Sequence, residues 1–156
     1  MKTCCFTGHR IMKITPELIQ RLRDTIINVI NKGVTDFYDG GALGWDQLCA
    51  ETVISLKAEY PNIKLRMLLP CLPEEQSKDW NSDQTKRFKK ILQAANSVTI
   101  LSQHYTSECM RKRNEKLVEI ADICICFCTN LRSGTVQTVR MAKAKNIVII
   151  NLAIQE

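Results

Sequence analysis

The sequence predicts an α/β domain, a doubly wound sheet of about six mostly parallel strands with helices on both faces. Two observations predict it. Short apolar runs alternate with helical patterns along the whole chain, and three of those runs end in turns rich in glycine or hydroxyl side chains. At 156 residues the chain suits one domain over residues 1–156, and a domain of that size buries about 70% of the surface its unfolded chain exposes.

Residues 3–7 read as the first strand. Thr15 as N-cap, Pro16 at the first helical position and the stripe Leu18, Leu22, Ile26 and Ile30 predict the first helix, closed by Gly33. Residues 36–39 follow as a strand, then a helix over about residues 43–60 that buries Leu48, Val53 and Leu56. Residues 63–69, 97–101, 123–128 and 147–151 are the remaining strands. Asp83 and Ser107 are the expected caps of the third and fourth helices, and the fifth begins near Gly134. Residues 70–82 form the one long irregular segment, read as a candidate lid because such loops in compact domains are often functional.

Eight cysteines raise the question of a disulfide framework. No charged-then-apolar leader stands at the N-terminus, and Cys4, Cys5, Cys124 and Cys126 lie inside apolar runs, so they read as reduced core residues of a cytoplasmic protein. Cys124, Cys126 and Cys128 share one strand face, but small buried hydrophobes explain them better than a metal, and no metal is expected. No stretch approaches the ~20 apolar residues of a membrane span. The net charge of +6 favours an anionic partner, although the clusters at residues 86–90 and 111–113 also read as solvated helix faces. A serine hydrolase or P-loop NTPase has no foothold, since neither Gly-x-Ser-x-Gly nor a Walker lysine occurs.

The three turns carry the chemistry. The run Asp39-Gly40-Gly41-Ala42-Leu43-Gly44-Trp45-Asp46 precedes a helix, whose free N–H groups and positive dipole end suit a phosphate. Thr7-Gly8-His9-Arg10 adds a hydroxyl, a glycine for close approach, an imidazole and a bidentate cation. Ser133-Gly134-Thr135, with Thr138 one turn on, places hydroxyls and backbone donors at a helix head, where an ordinary cap is the structural alternative. Right-handed crossovers put all three at the carboxyl ends of the strands, where sheets of this kind bind ligands. Asp46 reads equally as a helix cap or a ligand contact. Glu51, with no basic partner at helical spacing, is the candidate catalytic carboxylate, weighed against a solvated helix residue. Arg111 and Arg113 oppose the dipole at the start of their helix, which points to a local anion unless Glu108 and Glu115 neutralise them; Asn114 adds a donor and an acceptor suited to a base or sugar.

Taken together, Phe6 to Arg10, the Gly-Gly-Ala-Leu-Gly-Trp-Asp run leading to Ala50-Glu51, Pro70 with Gln76 and Trp80, Tyr105, Arg113-Asn114, Ala121-Asp122 and residues 133–138 resemble the YpsA-like family. That family belongs to the SLOG superfamily of Rossmann-like proteins, which also holds the LOG phosphoribohydrolases and DprA. The resemblance implies a Rossmann-like fold with a nucleotide-type ligand over the strand ends. LOG enzymes carry a glutamate three residues after the threonine of their Gly-Thr motif; Thr138 stands there in this chain.

The expected function is binding of a nucleotide or nucleotide-derived ligand, ADP-ribose-like or a nucleoside phosphate, as a sensor or regulatory module. Residues 7–10, 40–44 and 133–135 would hold phosphates, and Arg113, Asn114 and Glu51 the sugar or base. The alternatives are an N-glycosidase or ribosyl-transfer enzyme using Glu51, and behind it a DprA-like single-strand nucleic-acid binder using the basic helices. No cofactor beyond that nucleotide-type ligand is expected, and a homo-oligomer is.

Overall fold

A computed structural model describes residues 2–129 and 133–154. Its six strands are β1 (Thr3–Gly8), β2 (Asp36–Asp39), β3 (Lys64–Leu69), β4 (Ser97–Ile100), β5 (Ile123–Phe127) and β6 (Val148–Asn151). All pair in parallel, in the order β4-β3-β2-β1-β5-β6. The strand order therefore reverses between β1 and β5, and the fold is Rossmann-like.

The helices are α1 (Pro16–Asn31), α2 (Trp45–Leu56), α3 (Pro73–Gln76), α4 (Ser82–Ala94), α5 (Cys109–Ile120) and α6 (Gly134–Ala144). Thr15 caps α1 by accepting from Leu18 N at 3.1 Å. Its buried stripe ends on Val29, with Ile30 half-buried, because the i+3 step from Ile26 faces the sheet there. α2 is shorter than its apolar pattern. Gly44, at φ +79°, breaks the chain before it, and turns replace the helix from Lys57 onward.

Two caps differ from expectation. Asn81, not Asp83, starts α4 through a reciprocal capping box with Gln84. Glu108 rather than Ser107 precedes α5, with no side-chain cap.

Leu22, Ile26, Trp45, Val53, Leu56 and Phe88 pack from α1, α2 and α4 onto Phe6, Phe37 and Leu65. On the opposite face Leu117 and Val139 from α5 and α6 cover Cys5, Leu68, Cys124 and Cys126, so these thiols belong to the core as read from sequence. No helix among the described residues is long and apolar enough to cross a membrane.

Residues 70–82 are not an open lid. They form the short helix α3, and Gln76 Nε2 donates to Gly40 O at 3.1 Å, docking the segment on the glycine-rich turn. Trp80 completes the attachment by packing on Phe88, with ring centroids 5.1 Å apart.

Candidate functional site

A cavity of about 280 Å³ opens at the carboxyl ends of β1 and β5, where the strand order reverses. Thr7, Gly8 and Arg10 from the end of β1, Ala42 and Asp46 around the start of α2, Met110, Arg113 and Asn114 on α5, and Ser133, Gly134 and Thr135 at the head of α6 line it. Ten of the sixteen residues singled out from sequence thus meet in one place. Met110 is the lining residue that the sequence reading missed; the i, i+3, i+4 spacing of Met110, Arg113 and Asn114 on one helix face was the available signal.

The remaining candidates are not among the residues that line this cavity. His9 stays at the rim, where its Nε2 accepts from Thr129 N at 3.0 Å and its ring meets the edge of Phe127. Gly40 leaves room for Arg113, because a Cβ there would collide with the guanidinium. Gly41 faces Phe88, and at Gly44 a Cβ would strike the backbone of residues 9 and 10. Three donors of this turn are also committed: Gly41 N donates to Asp39 Oδ1 at 2.8 Å, Ala42 N to Asp46 Oδ2 at 3.3 Å and Trp45 N to His9 O at 3.1 Å. Thr138 is fully buried and donates to Gly134 O at 2.8 Å.

Glu51 has the basic partner that helical spacing did not reveal. Arg87 of α4 grips it from two nitrogens, Nε at 2.8 Å from Oε2, away from the cavity. Both side chains are about 40% exposed, so Glu51→Gln is expected to cost less than about 1 kcal/mol in urea denaturation and to leave ligand binding unchanged. A larger loss would mean that the pair is more than a surface clasp.

The open helix head is that of α6, not α2. Ser133 caps it by accepting from Val136 N at 3.3 Å, and among the described residues a Cβ on Gly134 would meet nothing nearer than Asn114 Nδ2 at 3.9 Å. Asn114 Oδ1 is occupied by Arg113 Nε at 2.8 Å, which leaves its Nδ2 as the donor toward the cavity.

Beneath this mouth lies a buried charge cluster. Arg113, only 4% exposed, donates from Nη1 to Gly40 O at 2.8 Å, beside the buried carboxyls of Asp39 and Asp46. Arg111 instead faces outward, 3.7 Å from Glu108 and 3.6 Å from Glu115. Among the described residues Asp39 Oδ2 and Asp46 Oδ1 have no hydrogen-bond partner. Burial pushes the Asp46 carboxyl up to about 6, against the opposing pull of Arg113, Ala42 N–H and Arg10. Burial, then the Asp46 charge, raises Asp39 well above its ordinary value too.

The folded-state value of Asp46 exceeds the unfolded one, so between about pH 4 and pH 6 the folded protein binds protons that the unfolded chain does not. Its contribution to stability is therefore greatest below that window and declines as pH rises through it, by about 2–3 kcal/mol in all. Asp46→Asn is expected to flatten the pH dependence of the unfolding midpoint over that range, as followed by circular dichroism. An unchanged slope would locate the titration elsewhere.

A larger cavity, about 750 Å³, lies against the edge strand β6. Ile149, Ile150, Leu152 and Ile154 supply apolar walls, and its Arg21 already donates to Leu152 O and Ile154 O at 2.9 and 3.0 Å. It lies off the switch point and has no helix head among its lining residues, so the smaller cavity is the candidate site.

The sequence model of the YspA SLOG family matches residues 6–150, a span that includes every one of these cavity residues. The chain belongs to the YspA SLOG family. Among curated relatives, the SPbeta prophage-derived protein YoqJ of Bacillus subtilis is 28% identical over 79% of this SLOG chain and 81% of its own. A UPF0398 protein of Halalkalibacterium halodurans is 37% identical over 62% of this chain and 51% of its own. Two solved structures of DNA processing protein A share the fold at TM-score 0.65, each over 95% of this chain: that of Helicobacter pylori at 20% identity and that of Streptococcus pneumoniae at 14%. The chain spans 63% and 49% of those two proteins.

Proposed function

We propose that this SLOG domain binds a nucleotide or nucleotide-derived ligand as a sensor or regulatory module, with a phosphate at the head of α6. One observation carries the reading: at the switch point of the sheet, one cavity is lined both by the head of α6, open among the described residues, and by Asp46, whose buried Oδ1 has no partner among them. The amides of α6, Arg10 and Asn114 Nδ2 suit anionic oxygens, and Asp46 Oδ1 suits a ribose hydroxyl. Calorimetric titration with ribose 5-phosphate, AMP, GMP and ADP-ribose tests it. At least one is expected to bind below millimolar concentration, and heat from none of them would refute the reading.

Asp46 also favours a second reading, cleavage of an N-glycosidic bond. A carboxylate held at about 6 in a buried site can stabilise developing positive charge at an anomeric carbon or carry a proton. Thr138 brings no carboxylate, and Glu51 is engaged with Arg87, so Asp46 is the group that this chemistry would use. Free base released from a nucleoside monophosphate, and abolished in Asp46→Asn, would establish the enzyme; intact ligand would leave the sensor. The H. pylori neighbour is described as binding single-stranded DNA. Here Arg87 and Arg111 are paired and Arg113 is buried, which thins the basic patches such binding would use and favours the free nucleotide.

A further inference from the structure

A second cavity of about 420 Å³ adjoins the first, sharing Arg10, Ala42 and Met110 with it. Its outer wall is the segment read from sequence as a lid, here contributing Gln76, Lys78 and Trp80, with Tyr105 from the stretch before α5. Alone, the first cavity falls just short of the ~300 Å³ at which small-molecule sites begin; joined, the two lie well within the usual range. The pair forms one cleft with two chemically different ends.

The phosphate end has the α6 amides and Arg10. The other end is close to charge-balanced, since its Lys78 and shared Arg10 stand against Glu75 and Asp79, and it carries two aromatic side chains. Trp80 is fixed by its packing on Phe88, and Tyr105, half exposed, lies under Lys78 Nζ at 5.5 Å from the ring centroid. Gln76 is oriented as well. Its Nε2 is spent on Gly40 O, and its buried Oε1 has no partner among the described residues, which makes it an acceptor for an N–H of a ligand. A flat, neutral, aromatic group with N–H donors matches that wall.

We infer that the second compartment takes the nucleobase of the nucleotide whose phosphate sits at α6, stacked against Trp80 and Tyr105, with Gln76 Oε1 accepting from the base. The inference rests on the proposed nucleotide reading and deepens it. The ligand class becomes a nucleotide with its base intact, and residues 70–82 become a specificity wall in place of a lid.

The test compares AMP with ribose 5-phosphate on the full chain. AMP is expected to bind more tightly, by about 5- to 150-fold, the range that base–aromatic stacking spans. Tyr105→Ala, at an exposed position where the fold tolerates truncation, is expected to remove much of that advantage and leave ribose 5-phosphate unchanged. AMP, and not ribose 5-phosphate, should also quench tryptophan fluorescence, and the quench should disappear in Trp80→Phe, which keeps an aromatic ring against Phe88. Equal affinity for the two ligands, unaffected by Tyr105→Ala, would overturn the base compartment while sparing the phosphate site. Failure of ribose 5-phosphate, AMP, GMP and ADP-ribose alike to bind the unaltered chain would overturn the nucleotide reading and this inference with it.

Discussion

Replacing Arg113 by methionine is expected to destabilise the fold by about 3–5 kcal/mol at neutral pH, the largest effect anticipated for a side chain in the cleft. The guanidinium is buried between α5 and the glycine-rich turn, bonded to Gly40 O and Asn114 Oδ1. It is the cation beside two buried carboxyls, each with an oxygen that has no partner among the described residues. Methionine matches its stem but removes the cation that pulls on both carboxyls, and their folded-state values must then rise further. The penalty is therefore largest above those raised values and shrinks as the carboxyls protonate toward about pH 5. Urea denaturation at the two pH values measures this. A loss below about 1 kcal/mol, or one of the same size at both, would mean that Arg113 contributes packing alone.

Gly8→Ala is expected to cost about 3 kcal/mol and Gly134→Ala almost nothing, although both glycines line the same cavity. At Gly8 the added methyl would enter the Trp45 side chain at its Cβ and Cγ, atoms fixed to the backbone of α2 and fully buried, so no rotamer change relieves the overlap. At Gly134, which lines the cleft, the nearest atom among the described residues beyond its chain neighbours is 3.9 Å from the added methyl. Alanine also suits the first position of a helix better than glycine. The two variants therefore separate a glycine that admits a neighbouring helix from one that admits a ligand. Gly8→Ala should lower the unfolding midpoint, whereas Gly134→Ala should keep it and weaken nucleotide binding. The reverse pattern would exchange those roles.

Much of this architecture is legible in the residue pattern, since it is written locally. Residues 36–39 bound β2 as read, Thr15 and Pro16 start α1, and Ser133 caps α6. The switch point follows from strands joined by right-handed crossovers, and it alone brings the three turns to one edge. What stayed hidden depends on partners far along the chain. Glu51 meets Arg87 across 36 residues, and Gly40 meets Arg113 across 73. Local spacing shows that a glycine leaves space but not what fills it, so the turn at residues 39–46 reads as a phosphate cradle when its space holds Arg113 and Phe88. The depth of Asp46 is hidden for the same reason: it is buried beside Arg10 and Arg113, which lie on other parts of the fold.

A crystal structure of the protein with AMP bound would decide whether the head of α6 holds a phosphate. The phosphate oxygens are expected within hydrogen-bond distance of the Gly134 and Thr135 amides, with Arg10 alongside and Asp46 on the ribose. A nucleotide found instead in the apolar cavity beside β6, or bound with the head of α6 unoccupied, would contradict that placement.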